Sequence, residues 1–311
     1  MTFMKISVIT PSLNRAHLLE AAIQSVAAQN YPDYEHIVVD GGSTDDTTQI
    51  VQKYPGIKFI SGSDSGMYDA LNKGLEIATG QIIGFLNTDD HYASDIFSKV
   101  AQKFEDREIM AVAGRAVVFS KALDGKITIV NKYFPEDKSL IECSTIGSNF
   151  FNAWFFRRST FDQIGNFNAN YRIVGDRDFM LRFALNHLKY IIIDNLVYKY
   201  HQHPGSLTFD KSGQKREWCA IEHLTMTSIY LASQGLSEEE RNLLVQLRTL
   251  ETMDLAARSL WARNYRKFTY CFAEGLKCNR AWPLSFFRYV IERGATLFLT
   301  KLSVKSLSWF A

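Results

Sequence analysis

Residues 35–47 read Glu35-His36-Ile37-Val38-Val39-Asp40-Gly41-Gly42-Ser43-Thr44-Asp45-Asp46-Thr47. A β-branched run meets an acid, two glycines and a cluster of Ser, Thr and Asp. An apolar run bounded by turn residues reads as a buried strand. Ser43 and Thr44 are candidate N-caps for a helix running to Lys53. A strand that hands over to a helix in this way is half of a βαβ unit.

The same alternation extends to both sides. Lys5–Thr10 is short and β-branched, and Ala16–Gln29 has apolar residues at 18, 19, 22, 23 and 26, a helical period. Ile57–Ser61 is a third strand, Met67–Ala78 a helix ended by Gly80, and Gln81–Leu86 a fourth strand. This order implies an α/β fold with a mostly parallel central sheet flanked by helices. After residue 90 the order loosens. Ser94–Phe104 reads as a helix, and Ala111–Phe119 and Lys126–Tyr133 flank the hairpin signal Asp124-Gly125. Asp176–Asn186 reads as a helix and Tyr190–Tyr200 as a strand. From about 214 the pattern is helical, with polar breaks near Gly235 and Asn279. The expected domains are therefore 1–210 and a helical C-terminal extension, 211–311.

Composition narrows the class. Of 311 residues, 46% are apolar and 22% charged, which is globular and excludes a disordered chain. No run of roughly 18 apolar residues suggests a transmembrane helix, and the N-terminal stretch lacks a signal-peptide pattern. Cysteines 143, 219, 271 and 278 form no C-x-x-C pair, so neither zinc nor a disulfide framework is expected, and a reducing cytoplasm fits. The net charge of +2 is uneven: residues 257–311 carry ten Lys/Arg and two Glu. A basic tail on an acidic body suits an anionic surface. Nucleic acid is not expected as a partner, because no binding motif accompanies the basic stretch.

Open parallel sheets bind ligands beyond the carboxyl ends of their strands. Those ends here read Thr10-Pro11-Ser12-Leu13-Asn14, Asp40-Gly41-Gly42-Ser43, Ser63-Asp64-Ser65-Gly66 and Asn87-Thr88-Asp89-Asp90. Carboxylates gathered on one edge need a cation or hydrogen-bond donors to compensate them. In the Asp89-Asp90 pair, one acid can take a hard divalent cation while the other holds a hydroxyl or a water. Neither G-x-G-x-x-G nor G-x-x-x-x-G-K-[ST] occurs, so a metal would neutralise any bound phosphates.

With these stretches in view, residues 5–90 resemble the donor-binding half of family 2 glycosyltransferases with the GT-A fold. The likeness rests on Ser7-Val8-Ile9-Thr10-Pro11-Ser12-Leu13-Asn14, Val38-Val39-Asp40-Gly41-Gly42-Ser43-Thr44-Asp45-Asp46-Thr47, Asp64-Ser65-Gly66-Met67-Tyr68-Asp69-Ala70-Leu71-Asn72-Lys73-Gly74 and Gly84-Phe85-Leu86-Asn87-Thr88-Asp89-Asp90. It extends through Phe155-Phe156-Arg157-Arg158, Gly175-Asp176-Arg177-Asp178 and His203-Pro204-Gly205-Ser206, an acceptor half over 91–210. The nearest likeness is to the branch that builds bacterial surface polysaccharides. The resemblance implies an inverting transferase that uses Mg²⁺ or Mn²⁺ and a nucleotide sugar, UDP-linked by preference. It implies a glycan or lipid-linked acceptor; the cysteines and the basic tail add the expectation of a cytoplasmic enzyme or one peripheral on the inner face of the cell membrane.

It also implies roles. Thr10, Pro11 and Ser12 would edge the nucleobase, and Asp40 would accept a hydrogen bond from it. Asp64 would contact the ribose or sugar side, Asp89 the ribose or donor sugar, and Asp90 the metal. Asp176 would be the general base, with Asp178 as the alternative; His203, or less so His201, would be a metal or phosphate contact. Arg182 would orient Asp178 or pack on the helix. Tyr68 and Asn72, four apart on one helix face, would shape the pocket floor or belong to the core. Two positions depart from the family pattern. Gly175 stands where an acid usually precedes the base. Phe151-Asn152-Ala153-Trp154 replaces a His-Gln pair, which suggests either a more aromatic acceptor pocket or core residues.

In the tail, residues 282–311 alternate basic and bulky apolar side chains, with Lys301 and Lys305 on one face and Trp309-Phe310 at the end. They suit an anionic membrane surface or packing against protein. Two rivals remain at this level. A sugar nucleotidyltransferase would need a glycine-rich loop that Pro11–Arg15 lacks. A non-catalytic nucleotide-sugar-binding or membrane-complex subunit would not need both Asp90 and Asp176.

Overall fold

The computed structural model describes residues 3–122, 124–134, 138–147, 150–203 and 214–292. The chain divides into two compact units, Met1–Lys211 and Ser212–Ala311.

The first unit begins with β1 (Ile6–Ser12), α1 (Ala16–Ala27), β2 (Tyr34–Asp40), α2 (Thr47–Gln52), β3 (Ile57–Ser61), α3 (Met67–Ile77) and β4 (Ile82–Phe85). It continues with β5 (His91–Tyr92), α4 (Ile96–Lys103), β6 (Ala111–Lys121), β7 (Ile127–Tyr133), α5 (Leu140–Thr145), β8 (Trp154–Arg157), α6 (Ser159–Ile164), α7 (Gly175–Leu185) and β9 (Tyr190–His201). The strands form one sheet in the order β3-β2-β1-β4-β8-β6-β9-β5, with β7 paired to β6. The first four strands are parallel, as expected. Beyond β4 the sheet is mixed: β8 lies antiparallel between β4 and β6, and β6 and β9 are parallel. The sequence reading placed no strand at 154–157, because an aromatic run of four residues carries no period.

Strand alternation assigns the faces. Ile6 and Val8 pack with Ala22 and Val26 of α1 and with Phe97 and Val100 of α4. Ile9 and Val39 face Gly74 of α3. The strand ends therefore emerge along one edge between covered faces. Register sets that edge, because Ser12 pairs with Asp40 and Asp40 with Ser61.

An aromatic cluster supports α7. Phe179 is fully buried, 5.1 Å from Phe161, 5.2 Å from Phe156 and 5.0 Å from Phe167. Phe151 and Trp154 are buried in the same body of rings, stacked on Phe156. Of the two readings of 151–154, the structure bears out the second: Phe151 and Trp154 are core.

The second unit is helical: α8 (Gln214–Ala232), α9 (Glu238–Trp261), α10 (Tyr265–Cys278) and a helical stretch over 282–292. A capping box starts α9, with Glu240 N–H donating to Ser237 Oγ and Ser237 N–H to the Glu240 carboxylate. A break at 262–264, unread in the sequence, is made by Arg263 at φ 56°. All four cysteines are free thiols.

Phe179→Ala should cost about 3–5 kcal/mol of the first unit's stability, since the rings around it cannot close the cavity. Urea unfolding followed by circular dichroism measures it, and a loss below about 1 kcal/mol would contradict this packing account.

Candidate active site

The donor-edge loops are tied together by their own side chains. Asp45 Oδ2 accepts from Ala16 N–H at 2.9 Å and Asp45 Oδ1 from Thr47 N–H at 3.1 Å. One carboxylate thus serves the first turns of both α1 and α2. The expected caps, Ser43 and Thr44, do other work. Ser43 Oγ accepts from Asn14 N–H at 2.7 Å, and Thr44 N–H donates to Asn14 Oδ1 at 2.9 Å. Asn14 holds φ 52°, a left-handed conformation that Asn tolerates.

Asp40 is buried at the end of β2. It accepts from Ser43 N–H at 3.0 Å, Ser61 Oγ at 2.7 Å and the Ser43 hydroxyl. Asp64 lies over Gly41, where a Cβ would come within 2.6 Å of its Oδ2, so any larger residue there would displace the Asp64 carboxylate. The three residues at the end of β1 differ. Thr10 is fully buried, and its hydroxyl meets His36 Nε2 at 2.8 Å. Burial lowers the His36 pKa to about 3, so the ring is neutral and accepts the Thr10 proton if its other nitrogen carries the hydrogen. Thr10 therefore lies beneath the edge rather than on it. Pro11 is partly exposed, and the buried Ser12 Oγ has no hydrogen-bond partner among the described residues.

The acidic pair after β4 splits inward and outward. Asp90 is fully buried. Its Oδ2 accepts from Tyr198 OH at 2.8 Å and Asn87 Nδ2 at 3.1 Å, and its Oδ1 from His201 N–H at 2.8 Å. Burial, and then the neighbouring Asp89 charge, push its pKa up to about 8 against these donors. Asp89 instead faces His203, with Oδ2 2.9 Å from Nε2. Asp90, expected at a metal, thus has both oxygens hydrogen-bonded within the protein, as Asp40 does at the end of β2. Asp89 and His203 make the outward-facing pair. Among the described residues no group of three or more His, Cys, Asp or Glu gathers as a metal site. One carboxylate and one imidazole fit a divalent cation that keeps phosphate and water ligands, not a cation caged by protein.

Asp176 sits in the first turn of α7, partly buried. Its Oδ1 accepts from Tyr68 OH at 3.1 Å and Arg177 N–H at 2.8 Å. Burial raises its pKa above the ordinary aspartate value, against these two donors. Tyr68 also reaches Ile173 O at 2.7 Å. Its ring explains the departure at 175: a Cβ there would lie 2.7 Å from the Tyr68 ring, so Gly175 is the residue this contact admits. Asp178 is buried and bonded to Arg182 Nε at 3.0 Å, so it is structural. Arg182 also donates to the carbonyls of Ile164, Gly165 and Asn166. Asn72 clamps Phe167 from both sides, donating to its carbonyl at 2.9 Å and accepting from its N–H at 3.0 Å. The approach to the base is thereby fixed at two points.

Tyr198 and Asn87 were missed as site residues. Asn87 stands in the quoted motif and carried a visible signal; Tyr198 reaches Asp90 from 108 positions away and carried none.

Residues 7–165, just over half the chain, match the profile of Glycosyl transferase family 2. The chain belongs to that family. This family 2 glycosyltransferase is 34% identical over 187 residues to a PGL/p-HBAD biosynthesis glycosyltransferase of Mycobacterium bovis, covering 58% of this chain and 70% of that one. The crystal structure of S. aureus TarS 1-349 in complex with UDP superposes with a TM-score of 0.60 at 17% identity, over 92% of each chain. The mannosyltransferase PcManGT of Pyrobaculum calidifontis, in complex with GDP-Man and Mn²⁺, gives 0.56 at 16%, over 94% of this chain and 88% of that one. The likeness shows the GT-A fold.

Two predictions separate the acids and the tyrosine. Asp90→Ala strands three buried donors and should cost about 2–4 kcal/mol of stability. Asp89→Ala removes a more exposed partner and should cost about 1 kcal/mol or less, read by thermal unfolding. Equal costs would mean the pair is not split in this way. The Tyr68 hydroxyl divides its one proton between Ile173 O and Asp176 Oδ1, so Tyr68→Phe removes part of what stabilises ionised Asp176. With Asp176 as the expected base, the acid limb of the kcat profile should therefore move to higher pH, with kcat down by up to about tenfold. An unmoved limb would show that the hydroxyl does not act on Asp176.

Proposed function

We propose that the chain transfers a sugar, with inversion, from a UDP-sugar to a glycan or lipid-linked acceptor in polysaccharide or glycolipid biosynthesis. One observation carries the reading: a partly buried Asp176, held by Tyr68 and Arg177, lies in the same unit as a sheet edge bearing Asp40, Asp64 and Asp89. The nucleobase would lie at the edge formed by Pro11 and Ser12, whose hydroxyl has no partner among the described residues, with Asp40 accepting from a ring N–H. Asp64 would contact the ribose side. Asp89 and His203 would hold Mg²⁺ or Mn²⁺ against the diphosphate, with Asp90 fixing that corner from behind. The bound cation supplies neutralisation of the leaving group's charge.

Asp176 would take the acceptor hydroxyl proton while that oxygen bonds to the anomeric carbon and the bond to the diphosphate breaks on the opposite side. One displacement inverts the centre. Its raised pKa makes Asp176 a stronger base than an ordinary aspartate, at the cost of activity in acid. Binding of UDP by one structural neighbour, and of GDP-Man with Mn²⁺ by another, supports a nucleotide-sugar donor.

Calorimetric titration with UDP, GDP and dTDP, each with Mn²⁺ and with EDTA, tests the donor. UDP should bind with Mn²⁺, and Asp89→Ala should weaken it about tenfold or more. Asp176→Asn should keep nucleotide affinity and lose about 10²–10⁴-fold in transfer. Absence of binding by all three nucleotides would refute the donor reading, and full activity in Asp176→Asn would refute the base.

A further inference from the structure

The helical stretch 282–292 is apolar on two sides. Its inner side is fixed: Trp282 is fully buried, donates Nε1–H to Thr252 Oγ1 at 2.9 Å, and stacks on Phe286 at 4.9 Å. Tyr289 reaches Asp254 Oδ1 at 3.0 Å. On its outer side Leu284, Phe287 and Ile291 stand at i, i+3 and i+7, and are 77%, 68% and 56% exposed. An amphipathic surface helix turns a polar face outward; here the outward face is a second apolar stripe.

Charge identifies what covers it. Arg280 and Arg288 are exposed at this helix, Arg288 in an exposed pair with Glu292, and Arg263, Arg266 and Lys277 are exposed elsewhere in the same unit, Lys277 paired with Glu274. Ten Lys/Arg against two Glu from residue 257 onward give this part of the chain a net positive charge that complements an anionic surface. An anionic bilayer matches both features, with apolar side chains at the acyl boundary and guanidinium groups at the lipid phosphates. Among the described residues no helix is long and apolar enough to cross a membrane, so the contact would lie on the surface.

We propose that the outer face of helix 282–292, formed by Leu284, Phe287, Arg288 and Ile291, with Arg280 just before its start, docks on an anionic lipid surface. This stands independently of the transferase reading. Flotation of the full chain with phosphatidylglycerol/phosphatidylcholine vesicles, and with phosphatidylcholine alone, tests it. Binding should require the anionic lipid and weaken as salt rises. L284S/F287S/I291S should lower the partition about tenfold or more, with circular dichroism and thermal midpoint kept. R280Q/R288Q, which leaves the apolar stripe intact, should lower it on anionic vesicles only. Failure to float with anionic vesicles, or wild-type flotation by the triple variant, overturns the proposal. A dimer that the triple variant dissolves, without vesicle binding, also overturns it and assigns the face to a second copy.

Discussion

Asp90 is held from three directions. Asn87 donates from the turn before it, Tyr198 from within β9, and His201 from the end of β9. Tyr198 can spend its one proton on Asp90 because its oxygen accepts from Asn87 N–H and Asn152 Nδ2, both at 3.2 Å. This network joins the end of a parallel strand to a strand three places away in the sheet. It sets where Asp89 and His203 meet. A buried carboxylate demands such partners, and meeting the demand builds the corner.

The same logic runs along the edge. Asp40, Asp45, Asp64 and Asp69 each accept from backbone N–H groups of the loops they border. Acids at strand ends act as loop organisers here, and the loops in turn keep the carboxylates apart. On the far side, Tyr68 ties α3 to the start of α7, while Asn72 and Arg182 pin the segment before it. Asp176 is therefore positioned by α3 as well as by its own helix.

The parallel half of the sheet was legible because buried strands are short β-branched runs and their helices keep a helical period. Ile57–Ser61 matches residue for residue. Asp124-Gly125 marked the hairpin, with Gly125 at φ 83°. What escaped depends on contacts distant in sequence. The caps were misassigned because Asp45 bridges two helix starts that only folding brings together. The split of Asp89 from Asp90 is invisible in a dipeptide, since Tyr198 decides it. The aromatic run at 151–154 offered stacking chemistry, but neighbouring rings claimed it for the core. The glycine at 175 looked like a loss and is instead a fit to Tyr68.

The joints that complete the site also fix when it can form. Tyr68 meets Asp176 across 108 positions, and Asp90 meets His201 across 111. Closing such separations costs chain entropy before any contact is gained. The four parallel strands, by contrast, are complete by residue 85. On a growing chain the parallel-strand edge can therefore be paired while the partners of Asp176 and Asp90 are still unmade. Until β9 arrives, Asp90 lacks its partners from that strand. The last strand of the unit thus acts as an assembly checkpoint, and lesions near Tyr198 would be felt as poor maturation before they were felt as slow turnover.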